Sequence, residues 1–189
     1  TGGTGFVGKP LVEALLSRGD SVTVLTRSIE KAQAVFPEKT PQFLTALSTL
    51  KDLNAFDAVI NLAGEPLFDK RWTVQQKEKL RHSRIDLTQQ IVQLINQSEH
   101  TPVLISGSAT GIYGNCGEDK ITEETNPSSQ FTAQLCIDWE NAAKQANTRV
   151  CLVRTGLVLS PNGGAFAKIL PLYRCLLYTS PSPRDMRRS

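Results

Sequence analysis

The chain opens TGGTGFVG, and these eight residues carry its most recognisable chemistry. Gly2, Gly5 and Gly8 satisfy G-x-x-G-x-x-G, and Gly3, Gly5 and Gly8 satisfy G-x-G-x-x-G, with Thr4, Phe6 and Val7 between them. Glycines at this spacing permit positive φ. They also let main-chain N–H groups approach a pyrophosphate, which rests against the start of the following helix. Such a motif gains force only from its surroundings. Here "KPLVEALLSRG" (9–19) follows, with Leu11, Val12, Leu15 and Leu16 at helical spacing and Gly19 as the stop. A glycine-rich turn without a ligand is the alternative.

The next segment, "SVTVLTR" (21–27), is β-branched and reads as a strand that ends Leu25, Thr26, Arg27, Ser28. In dinucleotide sites the residue at this strand end meets the adenosine ribose. An Asp or Glu there binds a 2′-hydroxyl and repels a 2′-phosphate, whereas a guanidinium binds the phosphate as a fork. Arg27 therefore predicts NADP(H). A plain surface arginine is the competing reading.

These residues need a scaffold, and the rest of the chain alternates strand and helix. "QFLTA" (42–46) is a weak strand, and "DAVINLAG" (57–64) is a continuous apolar one of the kind buried on both faces. A long helix over about 71–98 follows, with Leu80, Leu87, Ile91, Leu94 and Ile95 on one side. Strand "PVLISGS" (102–108), a loop over 111–129, a helix near 130–146 and strand "RVCLVRTG" (149–156) complete the series. This predicts an α/β fold, a Rossmann-type doubly wound parallel sheet. In the strand order 3-2-1-4-5-6 the first strand is central, and here the phosphate turn stands at residue 1. The expectation is a domain over 1–174 that lacks its first strand and its C-terminal part. The segment 175–189, "CLLYTSPSPRDMRRS", has no usable periodicity and resembles translated adapter sequence, so it is expected to be a non-native or disordered tail.

Composition narrows the classes. Of the 189 residues 40% are hydrophobic and 21% charged, ordinary values for a globular domain. No apolar run has the length of a membrane span, and no signal peptide is visible. Most of the net charge of +3 lies in the last fifteen residues, which gives no support to a nucleic-acid partner. Cys116, Cys136, Cys151 and Cys175 form no C-x-x-C pair and lie far in sequence from His82 and His100, so neither zinc nor a disulfide framework is indicated. Thiols in a reducing cytoplasm are the expectation.

Four stretches together resemble a known group: "TGGTGFVG", "NLAG" (61–64), "SGSATGIYG" (106–114) and "VRTGLVLSPNGGAFAKILP" (153–171). They are similar to the extended short-chain dehydrogenase/reductases of the NAD-dependent epimerase/dehydratase type. The nearest likeness is to atypical epimerase-family proteins of the YfcH type, through "LAGEP", "RW", "SR" and "DWE". The resemblance implies a cofactor shell. Gly2, Gly5 and Gly8 would line the pyrophosphate, and Thr26 and Arg27 would meet the adenosine ribose and its phosphate. Leu62, Ala63 and Gly64 would pass beside the ribose and pyrophosphate. Arg84 stands at a helix position that is usually Asn, and Val158 would lie near the nicotinamide. For Leu62, Ala63 and Val158, core packing is the alternative.

The resemblance also implies a Ser/Thr, Tyr and Lys catalytic set, with Tyr and Lys as Y-x-x-x-K on one helical face, the Lys cation lowering the phenol pKa. Ser108 matches the Ser. Phe131 takes the Tyr position and Leu135 the Lys position, so the usual acid/base pair is absent. Tyr113, near Ser108 in sequence, is one substitute. Cys136 and Glu140, four apart on one helical face, are others, through a thiol or a carboxyl of raised pKa. Trp139 reads as a core or pocket-wall residue, and His82 as solvent-facing without a carboxylate partner. Two functions remain open: an NADP(H)-dependent oxidoreductase or epimerase for a small carbonyl or sugar-like substrate, and a non-catalytic NADP(H)-binding sensor or interaction module.

Overall fold

The computed structural model describes residues 1–174 apart from 39, 68, 161 and 162. The expected tail, Cys175 included, lies outside the described residues. One compact unit spans Thr1–Gly156 and a second begins at Leu157.

In the first unit, α1 (Gly8–Arg18) buries Val12 against Val24 and Phe36. It stops at Gly19, whose φ of 95° lets Gly19 and Asp20 return their N–H groups to Leu16 O and Leu15 O. Strand β1 (Thr23–Leu25) pairs in parallel with β2 (Gln42–Leu44), Thr23 opposite Gln42. Helix α2 (Ile29–Val35) joins them, capped by Ser28 Oγ, which accepts from Lys31 N at 3.4 Å.

The second part of the unit is a three-stranded parallel sheet in the order β3-β4-β5: β3 (Ala58–Asn61), β4 (Val103–Ala109) and β5 (Val150–Thr155). Ile60 stands opposite Ile105, and Ser108 opposite Arg154. The 24-residue α3 (Val74–Gln97) and α4 (Phe131–Ala143) link these strands. Thr73 caps α3 by accepting from Gln76 N. Ile91, Ile95, Leu104 and Ala143 form the core between helices and sheet. No helix among the described residues is long and apolar enough to cross a membrane.

The described strands form two parallel sheets, β1-β2 and β3-β4-β5, with a slot between β1 and β3. Thr1–Gly3 run into that slot. Thr1 donates its backbone nitrogen to Ile60 O at 2.6 Å, and Leu62 N donates to Thr1 O at 3.3 Å. On the other side, a Cβ on Gly3 would stand 2.9 Å from the Val24 side chain. The strand predicted over 57–64 accordingly ends at Asn61, because Leu62–Gly64 bend away around Gly2.

One buried hydroxyl ties these pieces together. Thr88 Oγ1, on α3, donates to Arg84 O at 2.6 Å and accepts from Asn61 Nδ2 at 2.8 Å and Trp139 Nε1 at 2.9 Å. Asn61 Oδ1 in turn accepts from Thr1 Oγ1 at 2.6 Å. The end of β3, both long helices and the first residue of the phosphate turn thus meet at a single atom and its neighbour.

In the second unit, Leu159 and Ser160 (β6) pair antiparallel with Gly164 and Gly163, and α5 (Gly164–Arg174) follows with Pro171 inside it.

Thr88→Val retains the shape and removes the oxygen, leaving two buried N–H donors without an acceptor. At about 1–3 kcal/mol for each, a loss of at least about 2 kcal/mol is expected in urea unfolding. Thr88→Ser keeps the oxygen and gives up about one methyl, near 0.8 kcal/mol. Equal losses for the two variants would contradict the role of the hydroxyl.

Candidate functional site

The opening octet folds as the tight turn its glycines predict. Gly5 N donates to Gly2 O at 2.9 Å, and Gly2 has φ 71°. A Cβ on Gly8 would stand 2.1 Å from Gly2 O, and one on Gly2 would stand 2.8 Å from the backbone of Leu62 and Ala63. No side chain fits at either place. Val7 precedes α1 without a side-chain cap, so no side chain competes for the N–H groups of the first turn. Thr4, Gly5, Phe6 and Val7 are exposed on the rim, and Gly3 and Gly8 are buried beneath.

Thr26 and Arg27 leave the end of β1 next to this turn. Thr26 N donates to Leu44 O, and Thr26 Oγ1 donates to Ser28 O. Arg27 is exposed, and among the described residues no carboxylate pairs with it. On the other side of the slot, Leu62 and Ala63 pass against Gly2, and Gly64 packs on the Arg84 guanidinium, whose central carbon stands 2.8 Å from where a Gly64 Cβ would be. Arg84 is 8% exposed and lies over the Trp139 ring at 5.4 Å from its centroid. Burial lowers its pKa below the ordinary arginine range, against the opposing influence of Cys136 and Glu65. Val158 belongs to the second unit, just before β6.

The candidate catalytic residues gather at the far end of β4. Ser108 Oγ donates to Glu140 Oε1 at 2.7 Å. Arg154, opposite Ser108 on β5, grips both Glu140 oxygens, with Nε to Oε1 at 2.7 Å and Nη2 to Oε2 at 2.8 Å. Its Nη1 donates to Tyr113 OH at 2.6 Å and to Glu123 O at 2.9 Å. Glu140 is 2% exposed. Burial works against its charge, but the hydrogen bonds of Arg154 and Ser108 and the charges of Arg154 and Lys144 outweigh it and hold the carboxyl below the ordinary range. A Glu140 of raised pKa is therefore not what the structure contains, because a bidentate arginine keeps it ionised. The Cys136 thiol is pushed up, chiefly by burial, despite hydrogen bonds with Ala109 and Ser108, so it is not a ready thiolate.

Phe131 and Leu135 have no side-chain proton to exchange. Phe131 packs on Trp72 with centroids 5.7 Å apart and carries Lys77 Nζ 4.9 Å above its ring, while Leu135 is buried. Trp139 is buried in the core, one of the two places expected, and a Cβ on Gly107 would meet its ring at 2.9 Å. His82 faces solvent, but it does have a carboxylate partner: Nδ1 lies 2.7 Å from Asp86 Oδ2, one helical turn on. Cys116, Cys136 and Cys151 are free thiols.

Tyr113 and Arg154 line a pocket of about 790 Å³ together with Thr110, Ile121, Glu123 and Val153. The Tyr113 oxygen accepts from Arg154, and its own proton has no acceptor among the described residues. The key partner, Arg154, was not singled out from the sequence. Its signals were a charge inside an otherwise apolar strand and its place in the "VRTG" stretch. Asn61 heads the "NLAG" stretch without a role of its own, and Thr88 gave no signal.

Comparison with known proteins shows the family. The profile of the NAD dependent epimerase/dehydratase family matches residues 1–179. An Arabidopsis thaliana protein named epimerase family protein SDR39U1 homolog, chloroplastic, is 39% identical over 183 residues, covering 92% of this chain and 52% of that protein. The Mycobacterium bovis epimerase family protein Mb2239 is 37% identical over 175 residues, covering 91% of this chain and 57% of its own. The chain thus spans about half the length of the curated relatives it matches. Among solved structures, human epimerase family protein SDR39U1 with NADPH superimposes with a TM-score of 0.79 at 28% identity, covering 92% of this chain and 58% of that one. UDP-glucuronic acid 4-epimerase from Bacillus cereus, in complex with NAD, shares the fold at a TM-score of 0.70 and 20% identity, over 92% of this chain and 61% of that one.

The ionised Glu140 contributes stability above the unfolded carboxyl value of 4.5, and that contribution is lost as pH falls toward its lower folded value. The stability gap between the wild type and Glu140→Gln should therefore be full at about pH 7 and shrink below about pH 4.5. Thermal melts across that range test it, and a gap independent of pH would contradict the assignment.

Proposed function

The chain belongs to the NAD dependent epimerase/dehydratase family, and on that premise we propose that it binds NADP(H) at the Gly2–Gly8 turn and acts on a small carbonyl or sugar-like substrate. The observation that carries this reading is the turn itself. Gly2 and Gly8 leave no room for a side chain, and the first turn of α1 has no side-chain cap, which suits a pyrophosphate. The exposed, unpaired Arg27 at the end of β1 supports a 2′-phosphate and hence NADP(H) over NAD(H). The NADPH in the human relative's structure is consistent with that choice.

When bound, the nicotinamide would supply or accept a hydride. The protein's part in such a reaction is to move the accompanying proton. Phe131 and Leu135 have none to move, the Ser108 hydroxyl is committed as a hydrogen-bond donor to Glu140, and Glu140 is held ionised. Tyr113 remains. Its oxygen is fixed by Arg154, its proton is unclaimed, and it faces the pocket. We assign Tyr113 as the proton donor to a substrate oxygen, with Arg154 and Glu140 positioning it. The second reading, a non-catalytic NADP(H)-binding module, is favoured by the loss of the acid/base pair at positions 131 and 135.

Arg27→Ala should weaken NADPH by roughly ten- to a hundredfold, the equivalent of about 1.5–3 kcal/mol, and leave NADH nearly unchanged. Titration calorimetry decides this, and equal losses would remove the assignment. Tyr113→Phe should leave NADPH affinity intact and lower hydride exchange between labelled NADPH and a metabolite pool by about 10²-fold or more. Exchange undiminished in the variant rules Tyr113 out, and exchange absent from the wild type favours the non-catalytic reading.

A further inference from the structure

Trp72 is a large apolar side chain that the fold leaves open to solvent. It is 40% exposed, yet its ring is not free to turn, because Nε1 donates to Leu67 O at 2.7 Å. That bond uses the only polar atom of the indole. What remains to offer is an apolar face held in a fixed direction. Half-buried Phe131 stands against it, with ring centroids 5.7 Å apart and planes tilted by 59°. Two rings at that angle form a corner with two apolar walls. Lys77, half-buried in the first turn of α3, holds its Nζ 4.9 Å from the centroid of the same Phe131 ring, a distance at which the ring attracts a cation. Among the described residues no carboxylate pairs with Lys77.

The surroundings favour an anion. Residues 65–82 hold five Lys and Arg against three Asp and Glu, and of those acids Glu65 is engaged by Lys70 at 3.3 Å. The corner also stands where parallel sheets take their ligands, beyond the carboxyl ends of the strands. Residues 62–73 leave the end of β3 and carry Trp72, and Phe131 opens α4 on the return from β4. A Cβ on Gly111 would lie 3.9 Å from Thr132 Cβ. The first turn of α4 therefore packs on the short turn Thr110–Ile112, which leads directly into Tyr113.

We propose that Trp72, Phe131 and Lys77 form the subsite that selects the substrate: a ring-shaped molecule bearing an acidic group, its ring face on Trp72 and its anion at Lys77. This rests on the reading of a small carbonyl or sugar-like substrate above, and narrows that substrate to an acid. A neutral ring would leave the cation without a partner, and an open-chain acid would leave the aromatic face in water. A sugar acid and an aromatic acid share this chemistry.

The test titrates the full chain calorimetrically with NADPH and then, at saturating NADPH, with glucuronate, glucose, benzoate and benzyl alcohol. At least one acid should bind, and about tenfold or more tighter than its neutral counterpart. The acid that does so tells a sugar ring from an aromatic one. Trp72→Ala should weaken that acid by about tenfold, and Trp72→Phe should retain most of the affinity. Lys77→Gln should bring the acid down to the level of its neutral counterpart, and Lys77→Arg should keep the preference. NADPH affinity should stay unchanged in all four variants, whereas a general structural loss would move it. Binding of neither acid overturns the proposal. So does an acid no tighter than its neutral counterpart, and so does an acid undiminished in Trp72→Ala or in Lys77→Gln. If Trp72→Ala shows no cooperative melt, acrylamide quenching of the wild type decides. Of the two tryptophans Trp139 is buried, so the quenchable emission belongs to Trp72. The bound acid should shield it, and unshielded emission overturns the platform. A wild type that binds no NADPH overturns the cofactor reading, and the same four titrations without cofactor then decide this one. NADPH binding with neither acid bound overturns this one alone.

Discussion

A hydroxyl can donate once and accept twice, and Thr88 Oγ1 uses all three capacities inside the protein. The rest of the site depends on that fully subscribed atom. Asn61 cannot turn without abandoning both Thr88 and Thr1, so the end of β3 and the start of the phosphate turn are locked in one arrangement. Trp139 cannot rotate without losing its acceptor, so α4 is pinned to α3 at the level where Cys136 and Glu140 sit. The Arg84 carbonyl is held as well, which fixes the backbone that carries the buried guanidinium. In a low-dielectric interior such a network is favourable only when complete, and this one is complete.

The second organising element is the Glu140–Arg154 pair. It joins α4 to β5, and through Tyr113 OH and Glu123 O it also gathers the long connection between β4 and α4. Glu140 is buried, Arg154 is half-buried and the pair is bidentate, so its value lies in geometry more than in net stability. It explains why a carboxylate four residues from a cysteine, an arrangement that suggests acid/base work, is instead a fixed anion. Acidic and basic partners from different elements cancel each other, and the phenol at the pocket wall keeps a proton that no described residue accepts.

Much of this was legible in the sequence, and the limits have physical causes. Helices α1, α3 and α4 were readable because their apolar positions recur over several turns. The glycine octet was readable because its spacing is set by backbone geometry that no other residue tolerates. The strand over 57–64 was read too long, since its apolar run continues through Leu62 and Ala63 after the backbone has turned aside to meet Gly2. Helix α2 was missed because seven residues hold too little periodicity. The roles of Arg154, Asn61 and Thr88 were not legible for another reason: each is defined by partners far away in the chain, and no local spacing encodes them, although Asn61 and Arg154 stand in recognisable stretches. His82 was read without a partner although Asp86 lies one turn away, a pairing that helical geometry alone could have supplied.

The parallel registers carry a kinetic consequence. Thr23 finds Gln42 across a connection of about 20 residues, but Ala58 must find Val103, and Leu104 must find Val150, across about 45 each. Closing the longer loops costs only about 0.7 kcal/mol more by chain statistics, yet contacts of this span slow the search for the native topology by far more than they weaken it. The strands β3, β4 and β5 are short and nearly uniform in character, so pairing by itself does little to distinguish one register from its neighbours. The polar contacts that α3 and α4 bring to Asn61 and Ser108 single out one alignment. Folding of this sheet is therefore expected to wait on the docking of its helices, with the buried hydroxyl and the arginine–carboxylate pair acting as the selection step.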